Sequence, residues 1–183
     1  MLPILGLLLI FFCFLFGRRQ FKSQVFEPTV MTQREQYSPT ICTPVDYKFT
    51  FIFDSRENRF KCHGVWLETC LECPSCGFPM CCNTDKIIYR DPYDPTNFIP
   101  TNWYNSTSNE ECVLHTPVPL FEHEYYKHIS CSNITNTTDF LNLAIDLYDR
   151  YYDAYVVDQC QGYNQIWLNL DANYNYVSTE CVK

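Results

Sequence analysis

The chain has 183 residues, 46% of them hydrophobic and 17% aromatic, with a formal net charge of −8. That length fits one compact domain plus a targeting element, and that hydrophobic content excludes global disorder. Arg18, Arg19 and Lys22 stand beside an apolar run; beyond them ten Lys/Arg face 21 Asp/Glu. A surface of that sign repels phosphate backbones, and no basic stripe counters it, so the composition argues against nucleic acid as a partner.

Leu2–Phe16 holds no charged side chain. As a helix it spans roughly 22 Å, short of the roughly 30 Å hydrocarbon core, which fits a signal peptide or a short signal anchor. The exit sequence lacks a small-x-small pair, which favours a retained anchor. The basic flank would favour the cytoplasm under the positive-inside bias, but a long folded domain translocates despite it. Residues 18–45 are polar with scattered prolines and read as a stalk, leaving residues 46–183 as a cysteine-rich ectodomain.

In that region Asp46–Asp54 alternates aromatic and polar residues at period two, the pattern of a half-buried strand, and Phe60–Leu67 returns after a turn at Ser55–Arg59. A cysteine-dense stretch, Cys70–Cys82, precedes a short strand at Ile87–Arg90, and residues 91–120 read as a long proline-containing loop. A helix is expected from Thr138 or Asp139 to Tyr152, with Leu141, Ala144, Ile145, Tyr148 and Tyr152 on one face and Thr138 or Asp139 as cap. Gln165–Leu170 and Tyr174–Thr179 flank a turn and suggest a terminal hairpin. The fold class is α+β: antiparallel strands or hairpins and one main helix, in a small disulfide-stapled ectodomain.

Cys13 lies in the apolar segment. Cys42, Cys62, Cys70, Cys73, Cys76, Cys81, Cys82, Cys112, Cys131, Cys160 and Cys181 are the disulfide candidates, spread from the stalk almost to the last residue. Such spread suits staples in an oxidising compartment, and their odd number leaves one thiol over. A zinc knuckle at Cys73–Cys76 and an iron–sulfur loop are the rival readings. Adjacent Cys81 and Cys82 point instead to different partners, with at least one bridge reaching a distant cysteine such as Cys112 or Cys131. Asn105, Asn133 and Asn136 head glycosylation sequons in loop-like stretches.

The search for chemistry starts from four histidines: His63, His115, His123 and His128. The run His123-Glu124-Tyr-Tyr-Lys-His128 spaces its histidines five apart, whereas a helical zinc site needs four, so it reads as exposed loop or strand. No phosphate-cradling glycine loop, serine elbow or nicotinamide fingerprint is present. The acidic groups Asp91/Asp94, Glu110/Glu111 and Asp146/Asp149/Asp153 lack the ligand spacing of a calcium loop and read as solvated surface. These observations assign no catalytic residue, no metal and no cofactor. They describe a non-enzymatic module that works by protein–protein contact. The alternative is a secreted hydrolase, metal-dependent or not, with a site built from His63, His123 or His128 and nearby acids.

The plan of a short apolar anchor at Leu2–Phe16, basic Arg18, Arg19 and Lys22, and cysteines from Cys42 to Cys181 resembles the small envelope proteins of large insect DNA viruses, the per os infectivity factors. That resemblance is one of architecture and carries over no functional residue. It implies a membrane or virion-envelope location with an extracytoplasmic ectodomain, or secretion if the leader is cleaved. It also implies a role in host entry, with envelope proteins, extracellular proteins or a receptor as partners.

Overall fold

A computed structural model describes residues 42–74, 77–82, 87–110 and 112–183. The expected anchor at 2–16 and most of the expected stalk lie outside the described residues. Strand β1 (Pro44–Asp54) and strand β2 (Arg59–Cys70) form the expected hairpin, both longer than the sequence pattern suggested. Chain order then gives α1 (Phe98–Asn102), β3 (Thr107–Asn109), β4 (Pro117–Pro119), α2 (Leu120–Lys127), a 3₁₀ turn (Ile129–Cys131), α3 (Thr137–Tyr155), β5 (Gln165–Asp171) and β6 (Tyr176–Val182). The fold is α+β with antiparallel sheets: a four-stranded sheet in the order β2-β1-β5-β6, and a small β3–β4 ladder.

The alternation in β1 divides the main sheet's faces. Tyr47, Phe49 and Phe51 are buried among Phe140, Leu141, Ala144 and Leu147 of α3 in one core cluster. Burying such side chains is the main favourable term for this layer, at about 25 cal/mol per Å² of apolar surface. Tyr152 of α3 stacks on Tyr148 at 4.2 Å, and its hydroxyl donates to the Phe60 carbonyl, so the tyrosine row is packing. Helix α3 starts one residue earlier than expected because Asn136, not Thr138 or Asp139, accepts the free amide of Asp139.

The strand expected at Ile87–Arg90 is absent. Its backbone groups are satisfied by side chains instead: the Tyr89 amide donates to the Tyr126 hydroxyl, and the Arg90 carbonyl accepts from Thr137 Oγ1. The presumed long loop 91–120 holds α1 and the β3–β4 ladder. Asp94 there is no idle surface charge, since its carboxylate takes the amides of Phe98 and Ile99.

Disulfides Cys42–Cys70, Cys81–Cys112, Cys82–Cys131 and Cys160–Cys181 staple the chain, and Cys73 is also disulfide-bonded. The adjacent pair Cys81–Cys82 thus sends one bond to each side of α2. Cys62, within β2, is a free, buried thiol. Among the described residues no helix is long and apolar enough to cross a membrane. Asn105, Asn133 and Asn136 are all exposed.

Glu110 is buried and organises the approach to α2. Its carboxylate accepts the amides of Cys112 at 2.5 Å and Val113 at 2.7 Å, and that of Leu114. Burial pushes its pKa up, but these amide bonds outweigh it and hold the pKa below the usual carboxylate value. A depressed carboxyl stabilises the fold above its unfolded pKa, and the contribution vanishes as pH falls through the folded value. Replacing Glu110 by Gln should therefore destabilise the protein by about 1–3 kcal/mol at pH 7. Thermal melts should show that gap closing below pH 4.

Candidate active site

Strand β2 and helix α2 supply the groups of the site. In the β1–β2 register Thr50 faces Gly64 and Phe51 faces Cys62, so His63 is an extra residue on β2 with no partner opposite. Such a bulge re-aims a side chain out of the ladder. Helix α2 carries His123, Glu124 and Lys127, and His128 is its C-cap residue. Positions i, i+1, i+4 and i+5 of a helix occupy one face, so all four project toward the same side. The expectation of an exposed loop or strand here is corrected: the run is helical, and His123, Glu124 and His128 are buried.

These residues line one cavity of about 330 Å³ together with Trp66 and, at its far side, Lys48, Glu68, Phe78 and Trp167. Glu124 sits between two imidazoles: its Oε1 lies 3.6 Å from His63 Nε2 and its Oε2 3.9 Å from His128 Nε2. Trp66 Nε1–H donates to Glu124 Oε2 at 2.5 Å. The Trp66 ring stacks on His128 at 5.1 Å and meets His63 edge-on at 5.2 Å. The strand therefore fixes the carboxyl and both rings at once. Of the sequence-derived histidines, His115 is apart from this group, exposed in the β3–β4 loop with a φ of 53°.

Space for the carboxyl exists because residue 64 is glycine. A β-carbon there would run into the Glu124 carboxyl and the Trp66 indole nitrogen. Both obstacles are held by their mutual hydrogen bond, so neither retreats freely.

Burial sets the electrostatics. It raises Glu124 to about 8, against the weaker opposing effects of the Trp66 bond and the Lys127 charge. Burial lowers His63 to about 4, helped by His123 and Lys127. It also holds His128 well below the usual histidine value, with Lys127, His123 and His63 adding to the effect. By these shifts the site carries a neutral acid between two neutral bases at neutral pH. Nδ1 of His63 and of His128 is buried without a hydrogen bond among the described residues. Atoms so placed in a cavity wall can hydrogen-bond a polar group that enters it. Perturbed titratable groups converging in one cleft are the physical signature of a catalytic centre.

The disulfides hold this helix in place. The Cys81 amide donates to the Lys127 carbonyl at 2.8 Å, closing the end of α2. Cys82–Cys131 clips the turn that follows, and Cys81–Cys112 anchors the loop that precedes it.

Two imidazoles and a carboxyl converging in one cavity of an α+β domain are groups of the kind that proton-transfer chemistry uses. A family model gives the identity: the Ribonuclease T2 family matches residues 28–178, and the chain belongs to that family. No curated protein and no solved structure matches the chain. Membership in an enzyme family overturns four expectations: the non-enzymatic module, the envelope-protein resemblance with its entry role, the envelope or receptor partners, and the exclusion of nucleic acid. The hydrolase alternative is the better reading. The physical error lay in using net charge, which governs the distant field, to exclude a substrate that a few local groups can hold.

The Gly64 contact yields a direct test. Gly64→Ala should leave the far-ultraviolet circular dichroism native while displacing Glu124, and lower activity by at least about tenfold, as expected when a positioned group is misplaced by an ångström. Activity within twofold of the parent would show that the carboxyl does not need its seat on the strand.

Proposed function

We propose that this chain is an endoribonuclease that cleaves single-stranded RNA by attack of a ribose 2′-hydroxyl on the neighbouring phosphorus. One observation supports it above all: in a member of the Ribonuclease T2 family, His63, His123, Glu124, Lys127 and His128 meet in one cavity. Cleavage requires one proton to leave the 2′-oxygen and another to reach the departing 5′-oxygen. His128, the more buried ring, stays neutral and takes the first. His63, with 20% of its side chain exposed, delivers the second at the mouth where the leaving strand exits. Negative charge accumulating on the non-bridging oxygens meets Lys127, His123 and the protonated carboxyl of Glu124, which donates a hydrogen bond where an ionised one would repel. The products are a 2′,3′-cyclic phosphate and a free 5′-hydroxyl.

Disulfides through the whole described domain fit an oxidising compartment. We place the enzyme on the secretory route, with Leu2–Phe16 as the leader and Asn105, Asn133 and Asn136 as glycan acceptors.

Purified protein should cleave RNA homopolymers but neither DNA nor 2′-O-methyl RNA. His63→Ala and His128→Ala should each lower kcat by about 10²-fold or more, the usual share of one acid or base. Cleavage of DNA, or full activity in both variants, would refute the reading.

The pH profile follows from the directions above. kcat/KM reports the free enzyme, in which His63 must hold a proton against a value near 4, so it should be highest at acid pH and fall toward neutrality. A further fall should begin near pH 8 as Glu124 ionises, and Glu124→Gln should remove that second limb. A bound phosphodiester stabilises the His63 imidazolium, so the kcat profile should lie at higher pH than that of kcat/KM.

A further inference from the structure

A second hollow lies between α1, the chain leading into β3 and the start of α2. It measures about 220 Å³ and shares no lining residue with the histidine cavity. Its walls are mostly apolar, with Ile99, Pro100, Trp103, Tyr104 and Leu120 among them, and Asn105 stands in the same wall. Trp103 is only 2% exposed, and its indole nitrogen is buried without a hydrogen bond among the described residues. A buried indole N–H ordinarily finds an acceptor, and leaving one unmet weakens the fold.

The chain beside this hollow is anchored on both sides of Asn105. The Tyr104 amide donates to the Cys62 carbonyl at 2.8 Å, and the Ser106 carbonyl accepts from the Leu120 amide at 2.9 Å. Asn105 itself is exposed and heads the sequon Asn105-Ser106-Thr107. Trp103 is extended, with ψ at 144°, and β3 begins at Thr107. Trp103, Asn105 and Thr107 therefore follow the two-residue repeat that puts side chains on one side of an extended chain.

We propose that Asn105 carries an N-linked glycan whose first N-acetylglucosamine is seated in this hollow as a tethered internal ligand. The proposal rests on the secretory placement above and is independent of the ribonuclease chemistry. The donor is an oligosaccharide on a polyprenyl diphosphate. Asn105 Nδ2 forms a bond to sugar C1 and gives up one proton, while the C1–O bond breaks and the lipid diphosphate leaves with its electrons. The attached sugar has the groups that these walls lack. Its ring C–H face and acetamide methyl are apolar and cover Tyr104, Ile99 and Pro100. Its acetamide carbonyl is an acceptor for Trp103, a side chain that only donates. Tethering supplies the affinity, since a linked group meets its site at an effective concentration of about millimolar or above. Asn133, in the loop before α3, is the comparison acceptor.

The test uses the full chain secreted from a eukaryotic host in its high-mannose glycoform. Glycopeptide mass spectrometry should find Asn105 occupied. Endoglycosidase H, which leaves one N-acetylglucosamine on each asparagine, should not change the Tm. Asn105→Gln and Thr107→Ala remove the glycan by unrelated side-chain changes, and each should lower the Tm by about 2–4 °C. Asn133→Gln should leave it at the parent value. In the trimmed protein, nuclear Overhauser effects should join the acetamide methyl to ring protons of Trp103 or Tyr104, a readout that stands even if a variant fails to fold. An unoccupied Asn105 overturns the proposal together with that acceptor assignment. Occupancy without those Overhauser effects, a trimmed protein that melts like the variants, an equal fall in Asn133→Gln, or no fall shared by the two Asn105-sequon variants overturns the seat alone. None of these outcomes touches the ribonuclease reading.

Discussion

A carboxyl buried against a strand organises the candidate active site. Glu124 rises from α2 onto the one position of β2 that has no side chain, Gly64, and is gripped there by the Trp66 indole nitrogen. A single hydrogen bond and an absent β-carbon thus join the helix to the strand at the point where chemistry is proposed. The same indole carries His128 on its face and His63 against its edge. Moving any one of these groups moves the others, which explains why a sheet residue and a helix residue can share one reaction centre with little freedom. Burial, the condition of that grip, also keeps Glu124 protonated and both imidazoles neutral.

The rest of the fold reads as support for that contact. The bulge in β2 turns His63 toward α2 while its neighbours stay in register. The Cys81–Cys82 pair secures α2 at both ends: one bond to Cys112 before it, one to Cys131 after it, and an amide on its last carbonyl. Buried Glu110 folds the Cys112 loop onto itself by holding three successive amides. On the opposite face the aromatic side chains of β1 and the apolar stripe of α3 supply the core. The α3 core thus sits on one face of the sheet and the candidate site on the other, as expected where a site demands buried polar groups that weaken the fold.

Much of this frame is legible in the sequence. Period-two alternation in Asp46–Asp54 and the three- and four-residue spacing of Leu141 to Tyr152 locate the hairpin and the main helix, because burial on one face imposes those periods directly. The strand expected at Ile87–Arg90 fails because tertiary hydrogen bonds from Tyr126 and Thr137 replaced the ladder. The site was the harder part. The five-residue spacing of His123 and His128 does not fit a helical zinc pair, yet a helix face also admits i, i+1, i+4 and i+5. The signal lay there: four polar, titratable residues on one face of an aromatic-rich run. His63-Gly64-Val65-Trp66 carried a second, since a glycine inside a strand pattern marks a close approach by another group. Linking the two segments required the register of β1 against β2, which local sequence does not encode.

The protonation state of Glu124 is the central condition of this site, and its direct measurement is titration by carbon-13 NMR of the side-chain carboxyl in the ligand-free protein. Burial on Gly64 predicts a midpoint near 8, with the carboxyl neutral throughout the acid range. A midpoint near the ordinary glutamate value of 4.5 would mean an ionised, solvated carboxyl, and would contradict the seat on the strand and the hydrogen-bond donor role together.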